Sequence, residues 1–131
     1  MAGRIAVLVE DLFFLAKIRE TAKALDITIL TVDPRHAAAA ITDAQPQAII
    51  LDLNHRSLAA VDCIRTLKAN PATRPIRIVA FVSHVQEELI TAARAAGCDS
   101  VLARSAFTQR LPNLLPSLVN GGHEADKDSG A

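Results

Sequence analysis

The sequence predicts an α/β domain with a doubly wound, five-stranded parallel sheet and helices on both faces. Three observations predict it. Five short runs rich in β-branched residues alternate with longer segments of helical spacing. Most of the short runs are too continuously apolar for a sheet with one wet face, and suit parallel strands covered on both sides. The strand-then-helix unit recurs five times, so right-handed crossovers build one open sheet.

The elements follow in order. Residues 5–9 form the first strand. The helix after it carries a stripe of Phe14, Leu15, Ile18, Ala22 and Leu25, with Phe13 roughly opposite at 100° per residue. Residues 27–32 form the second strand, and Asp33-Pro34 supplies an N-cap followed by proline at the first helical position. Residues 48–51 form the third, after which Ser57 caps a helix over 58–69. Asn70-Pro71 and Arg74-Pro75 punctuate the loop before the fourth strand at 76–82. Ser83 and Gln86 then have capping-box spacing. The fifth strand is 101–103. In the last helix Leu111, Leu114, Leu115 and Leu118 make a stripe interrupted by Pro112 and Pro116. An interior proline costs about 3 kcal/mol, so a kink near Pro112 is expected, or a short turn from Ser105 and then a second piece. The domain spans 1–119, and 120–131 is a polar, frayed tail.

Composition narrows the function. The chain has 131 residues, enough for one domain, and half of them are apolar. Fourteen basic residues balance fourteen acidic ones, and the only aromatics are four phenylalanines. Phosphate backbones need clustered Lys and Arg, and single strands need stacking rings, so nucleic-acid binding is excluded. No apolar run reaches the roughly 20 residues that cross a bilayer, and the first residues carry no secretory cleavage pattern. Cys63 and Cys98 are two cysteines far apart, too few for a zinc site; both read as buried small hydrophobes in a reducing cytoplasm.

In an open parallel sheet, ligands bind beyond the carboxyl ends of the strands. Those ends bring Glu10 and Asp11, then Asp52 and Asn54, then Ser83 and His84, then Arg104 and Ser105. Three carboxylates in one crevice repel one another, and a hard cation such as Mg²⁺ resolves that repulsion through oxygen ligands. A hydroxyl and a guanidinium opposite suit the equatorial oxygens of a phosphoryl group. The same residues have plainer uses. Glu10 and Asp11 complement the dipole at the start of the first helix, Asp52 is a turn residue, Ser83 caps the fourth helix, and Arg104 pairs with Asp52.

This constellation resembles the receiver domain of bacterial two-component response regulators. The features that carry the resemblance are Glu10-Asp11, Asp52, Ser83 and the Ala95-Ala-Gly97-Cys-Asp run, in register over about residues 4–119. The resemblance implies a flavodoxin-like strand order of 2-1-3-4-5. It implies Asp52 as the acceptor of a phosphoryl group from a histidine kinase or a phosphotransfer protein. It also implies Mg²⁺ held by Glu10, Asp11, Asp52 and the backbone carbonyl of Asn54, with Ser83 and Arg104 on the phosphoryl oxygens. Receivers border their partners at the start of the first helix, so Leu12 and Phe13 become partner contacts. They also pair through the fourth helix, fifth strand and fifth helix, which leaves a homodimer open.

The sequence also departs from the family. Arg104 stands where the family has lysine, and a planar fork is not a compact point charge. Ser105 replaces the following proline, whose peptide bond is often cis. His84 replaces a small residue, and the Pro-Gly turn after the third strand is absent. Two functions result: a stand-alone phosphoryl-accepting receiver signalling through protein contacts, or a degenerate receiver serving as an unphosphorylated interaction or scaffold module. A haloacid-dehalogenase-type phosphatase ranks below both, because Asn54 stands where a second aspartate is required. Glycine-rich nucleotide-binding motifs are missing.

Overall fold

A computed structural model describes residues 3–83 and 86–120. The elements run β1 (Arg4–Leu8), α1 (Leu12–Ala24), β2 (Thr28–Thr31), a 3₁₀ turn (Pro34–His36), α2 (Ala37–Ala44), β3 (Ala48–Asp52), α3 (Ala60–Ala69), β4 (Arg77–Val82), α4 (Glu87–Ala95), β5 (Ser100–Ala103) and α5 (Arg104–Val119). All four strand pairings are parallel, in the order β2-β1-β3-β4-β5. The doubly wound sheet is therefore the predicted one.

The strand runs are apolar on both faces because both faces are covered. Ala6, Leu8, Ile49, Leu51, Ile78 and Ala80 pack against Ile41 of α2, Ile64 and Leu67 of α3, and Ala93 of α4. The alternate residues Ile5, Val7, Ala48, Ile50, Val79 and Phe81 pack against Phe14 and Ile18 of α1 and against α5. This period of two comes directly from the pleat. Phe14, Phe81 and Phe107 form a cluster under the carboxyl end of the sheet, with ring centroids 4.7, 5.2 and 5.6 Å apart. Cys63 and Cys98 are buried free thiols, and burial pushes each up to about 11. Among the described residues no helix is long and apolar enough to cross a membrane.

Several local expectations are corrected. Ser57 does not cap α3, which begins at Ala60 after an N-cap at Ala59 that makes no side-chain bond. Residues 53–57 are instead taken up by a turn in which His55 N–H donates to the Asp52 carbonyl at 3.2 Å. Ser83 does not cap α4 through a capping box: the N-cap is Gln86, without a side-chain bond to the helix. The last helix is not divided, for α5 runs unbroken through Pro112 and Pro116. Pro112 lies on the exposed side, where water can satisfy the carbonyl that its ring leaves unpaired. The buried stripe Phe107, Leu111, Leu114, Leu115 and Leu118 holds the helix on the sheet. Asp33 does cap the turn at Pro34, accepting from Arg35 N–H at 2.9 Å, but that turn is 3₁₀ before α2 starts. His84 and the tail beyond Asn120 lie outside the described residues.

Candidate functional site

Asp52 ends β3 in the middle of the sheet and is only 8% exposed. Its Oδ1 accepts the Asn54 N–H at 2.8 Å, the tight turn that lets the chain leave the strand. Its Oδ2 accepts no hydrogen bond among the described residues. Burial raises the Asp52 pKa above its ordinary value. The Asn54 N–H, His55 and Arg104 pull it back, and the like charge of Glu10 pushes it further up.

Asp11 and Glu10 follow β1 but do different work. Asp11 is the N-cap of α1, and its Oδ1 accepts from Phe13 N–H at 2.9 Å and Phe14 N–H at 3.2 Å. Its Oδ2 accepts from the Arg104 guanidinium at 2.6 Å. The hydrogen bond from Arg104 is the main reason that the Asp11 pKa is lowered; the Phe14 N–H contributes next. Glu10 reaches across the crevice instead and accepts the Arg56 N–H at 3.0 Å, bracing the turn after β3.

Arg104 opens α5 directly from β5, and no loop intervenes. Its guanidinium carbon lies 4.4 Å from the centroid of the Phe14 ring, a cation–π contact, while an Nη donates to Asp11. The expected ion pair with Asp52 is thus made with Asp11. No described peptide bond is cis, including the one before Ser105.

Ser83 is exposed just beyond β4. Its backbone N–H donates to the Asn54 side-chain oxygen at 2.8 Å, and the Asn54 amide nitrogen donates to Gln86 Oε1 at 2.7 Å. Sequence reasoning assigned Asn54 only a carbonyl; its side chain bridges two loops. His55 went unassigned as well, yet its side chain is 6% exposed, and Nδ1 accepts the Ser57 N–H at 3.1 Å while lying 4.0 Å from Glu10 Oε1. No spacing rule points to either contact, because both join residues brought together by the turn itself. Leu12 and Phe13 stand free at the crevice edge, 76% and 90% exposed.

The residues do not fit a Mg²⁺ ion as they stand. Carboxylate and carbonyl oxygens are the right donors for that ion. Both Asp11 oxygens are already engaged, however, and Glu10 is drawn to Arg56. Among the described residues no three His, Cys, Asp or Glu side chains are gathered to hold a metal.

No protein-family model and no curated protein sequence matches the chain. Solved structures do. A response regulator from Hahella chejuensis aligns with a TM-score of 0.82 at 22% identity, covering 93% of this chain and 98% of that one. The signal receiver domain of a response regulator from Bermanella marisrubri aligns at 0.77 and 23% identity, covering 92% and 100%. The Mn²⁺-bound form of the response regulator Rcp1 aligns at 0.76 and 17%, covering 89% and 94%. The chain has the flavodoxin-like receiver fold of response regulators.

Proposed function

We propose that this chain is a receiver-type signalling domain whose Asp52 accepts a phosphoryl group from a histidine kinase or a phosphotransfer protein, and which signals through protein contacts. The observation that carries this reading is the setting of Asp52. It stands at the tip of the central strand, with one oxygen tied to the Asn54 N–H and the other accepting no hydrogen bond among the described residues. The open oxygen would attack phosphorus in line as the donor imidazole departs, converting the carboxylate to an acyl phosphate. The arriving phosphoryl oxygens then compete with Asp11 for Arg104, whose planar fork suits them. The exposed Ser83 hydroxyl supplies a second donor at the same strand ends. Buried free thiols at Cys63 and Cys98 agree with a reducing, cytoplasmic setting.

Acetyl phosphate tests the chemistry. Incubation with and without Mg²⁺ is expected to give a product heavier by one phosphoryl group, and Asp52→Asn to abolish it. No mass gain in either condition would reject acceptance by Asp52. That outcome would favour a second reading, an unphosphorylated interaction module, to which the Asp11–Arg104 pair already lends support.

Under either reading Leu12 and Phe13 are the contact that a partner would use, since large exposed apolar side chains beside a polar crevice are natural anchors. Phe13→Ala is expected to leave the melting temperature unchanged. It should slow phosphoryl transfer from a protein donor roughly tenfold or more, the scale of losing an aromatic anchor, while leaving acetyl phosphate labelling intact. Equal slowing with both donors would remove Phe13 from the docking surface.

A further inference from the structure

We infer that Arg104 is the resident counter-cation of the acidic crevice, holding the Asp11 carboxylate so that the folded domain does not take up a divalent ion there. Three features of the molecule converge on this. The first is saturation: Asp11 Oδ1 carries two backbone N–H bonds from the start of α1, and Oδ2 carries the guanidinium at 2.6 Å. Three of the roughly four acceptor positions of that carboxylate are filled, so a metal would have to share Oδ2 with the guanidinium or displace it. The second is support for the guanidinium itself. It lies against the Phe14 ring at 4.4 Å, and Phe14 is fixed in turn by Phe81 and Phe107. Its position is further set by β5, which passes into α5 with no loop to absorb movement. The third is the placement of the other acids: Glu10 Oε1 is turned to the Arg56 N–H, and no metal-holding group of three His, Cys, Asp or Glu is gathered among the described residues.

Charge explains why a guanidinium does this where an ammonium would do it less well. A planar cation can bond a carboxylate with one edge while its face rests on an aromatic ring, and it is weakly hydrated enough to stay half-buried. A strongly hydrated point charge gains little from the ring. Arg104 thus acts on Asp11 as a positioning residue. The inference does not depend on phosphorylation of Asp52.

The test is a titration of the full chain with Mn²⁺, read as paramagnetic broadening of backbone amide signals. In wild type, no selective broadening of Glu10, Asp11, Asp52 and Asn54 is expected at low millimolar ion. In Arg104→Gln those four amides should broaden selectively, with an affinity gain of about tenfold or more, equivalent to 1.4 kcal/mol. Arg104→Lys should fall between the two. A second measurement needs no variant: the carboxyl carbon shift of Asp11 should stay unmoved by Mg²⁺ in wild type. Selective broadening in wild type as strong as in Arg104→Gln, absence of broadening in both, or a Mg²⁺-dependent Asp11 shift would each overturn the inference. Acetyl phosphate labelling separates this result from the functional reading, because either can fail while the other holds.

Discussion

Phe107→Ala is expected to remove roughly 3–5 kcal/mol of folding stability, the usual cost of truncating a buried phenylalanine. Phe107 is fully buried and touches both Phe14 and Phe81, so the truncation leaves a void that the rigid sheet on one side cannot close. A domain of this size holds only about 5–15 kcal/mol in total. The variant should therefore melt some 10–20 °C lower at about 4 °C per kcal/mol, and its urea midpoint should fall in proportion. The loss also reaches the crevice, because the Phe14 ring that supports Arg104 loses a neighbour. A Phe107→Ala protein as stable as wild type would mean that the aromatic cluster is not the keystone of the α1–α5 layer.

Asp52→Asn should have the second large effect, and in the opposite direction. The folded-state pKa of Asp52 is raised above the ordinary 3.8, first by burial. The ionised form therefore opposes folding at neutral pH. That penalty is full above the folded pKa, and is relieved as pH falls through it toward the unfolded value. An asparagine keeps the oxygen that accepts the Asn54 N–H and carries no charge. At pH 7 the variant should melt higher than wild type, with the gap closing as pH falls toward the ordinary carboxylate range. Melting curves of both proteins between pH 4 and 8 provide the check. A gap that widens on acidification would show that Asp52 is stabilised as an anion, reversing the sign assigned here. Stability is thus traded for a charge at the one place where the proposed chemistry requires it.

Much of this was readable from the residues. Runs such as Ala48-Ile-Ile-Leu51 are short, β-branched and apolar on consecutive positions, the pattern of a strand covered on both sides. With the strands located, the polar residues at their carboxyl ends follow by counting, and Asp52, Ser83 and Arg104 all lie beyond or at those ends. Phe13 was legible as exposed because it falls opposite the α1 stripe. Partner choice was not legible. Arg104 had two carboxylates within reach of its strand end, and the decision for Asp11 rests on Phe14, a residue whose ring is placed by packing rather than by spacing. Local caps misled for a related reason. Ser83 has the right spacing to Gln86, but Asn54, 29 residues away, takes the Ser83 N–H first. The Pro112 and Pro116 interruptions misled in the other direction, since five buried side chains outweigh two absent donors.

The Asn54 carboxamide has a mechanical consequence. Its oxygen grips the exit of β4 and its nitrogen grips the residue that starts α4, while its own N–H is pinned to Asp52. The tip of the central strand and the root of the fourth helix are in this way tied to one carboxamide. A shift of the Asn54 backbone at the strand tip would strain both of its side-chain bonds at once.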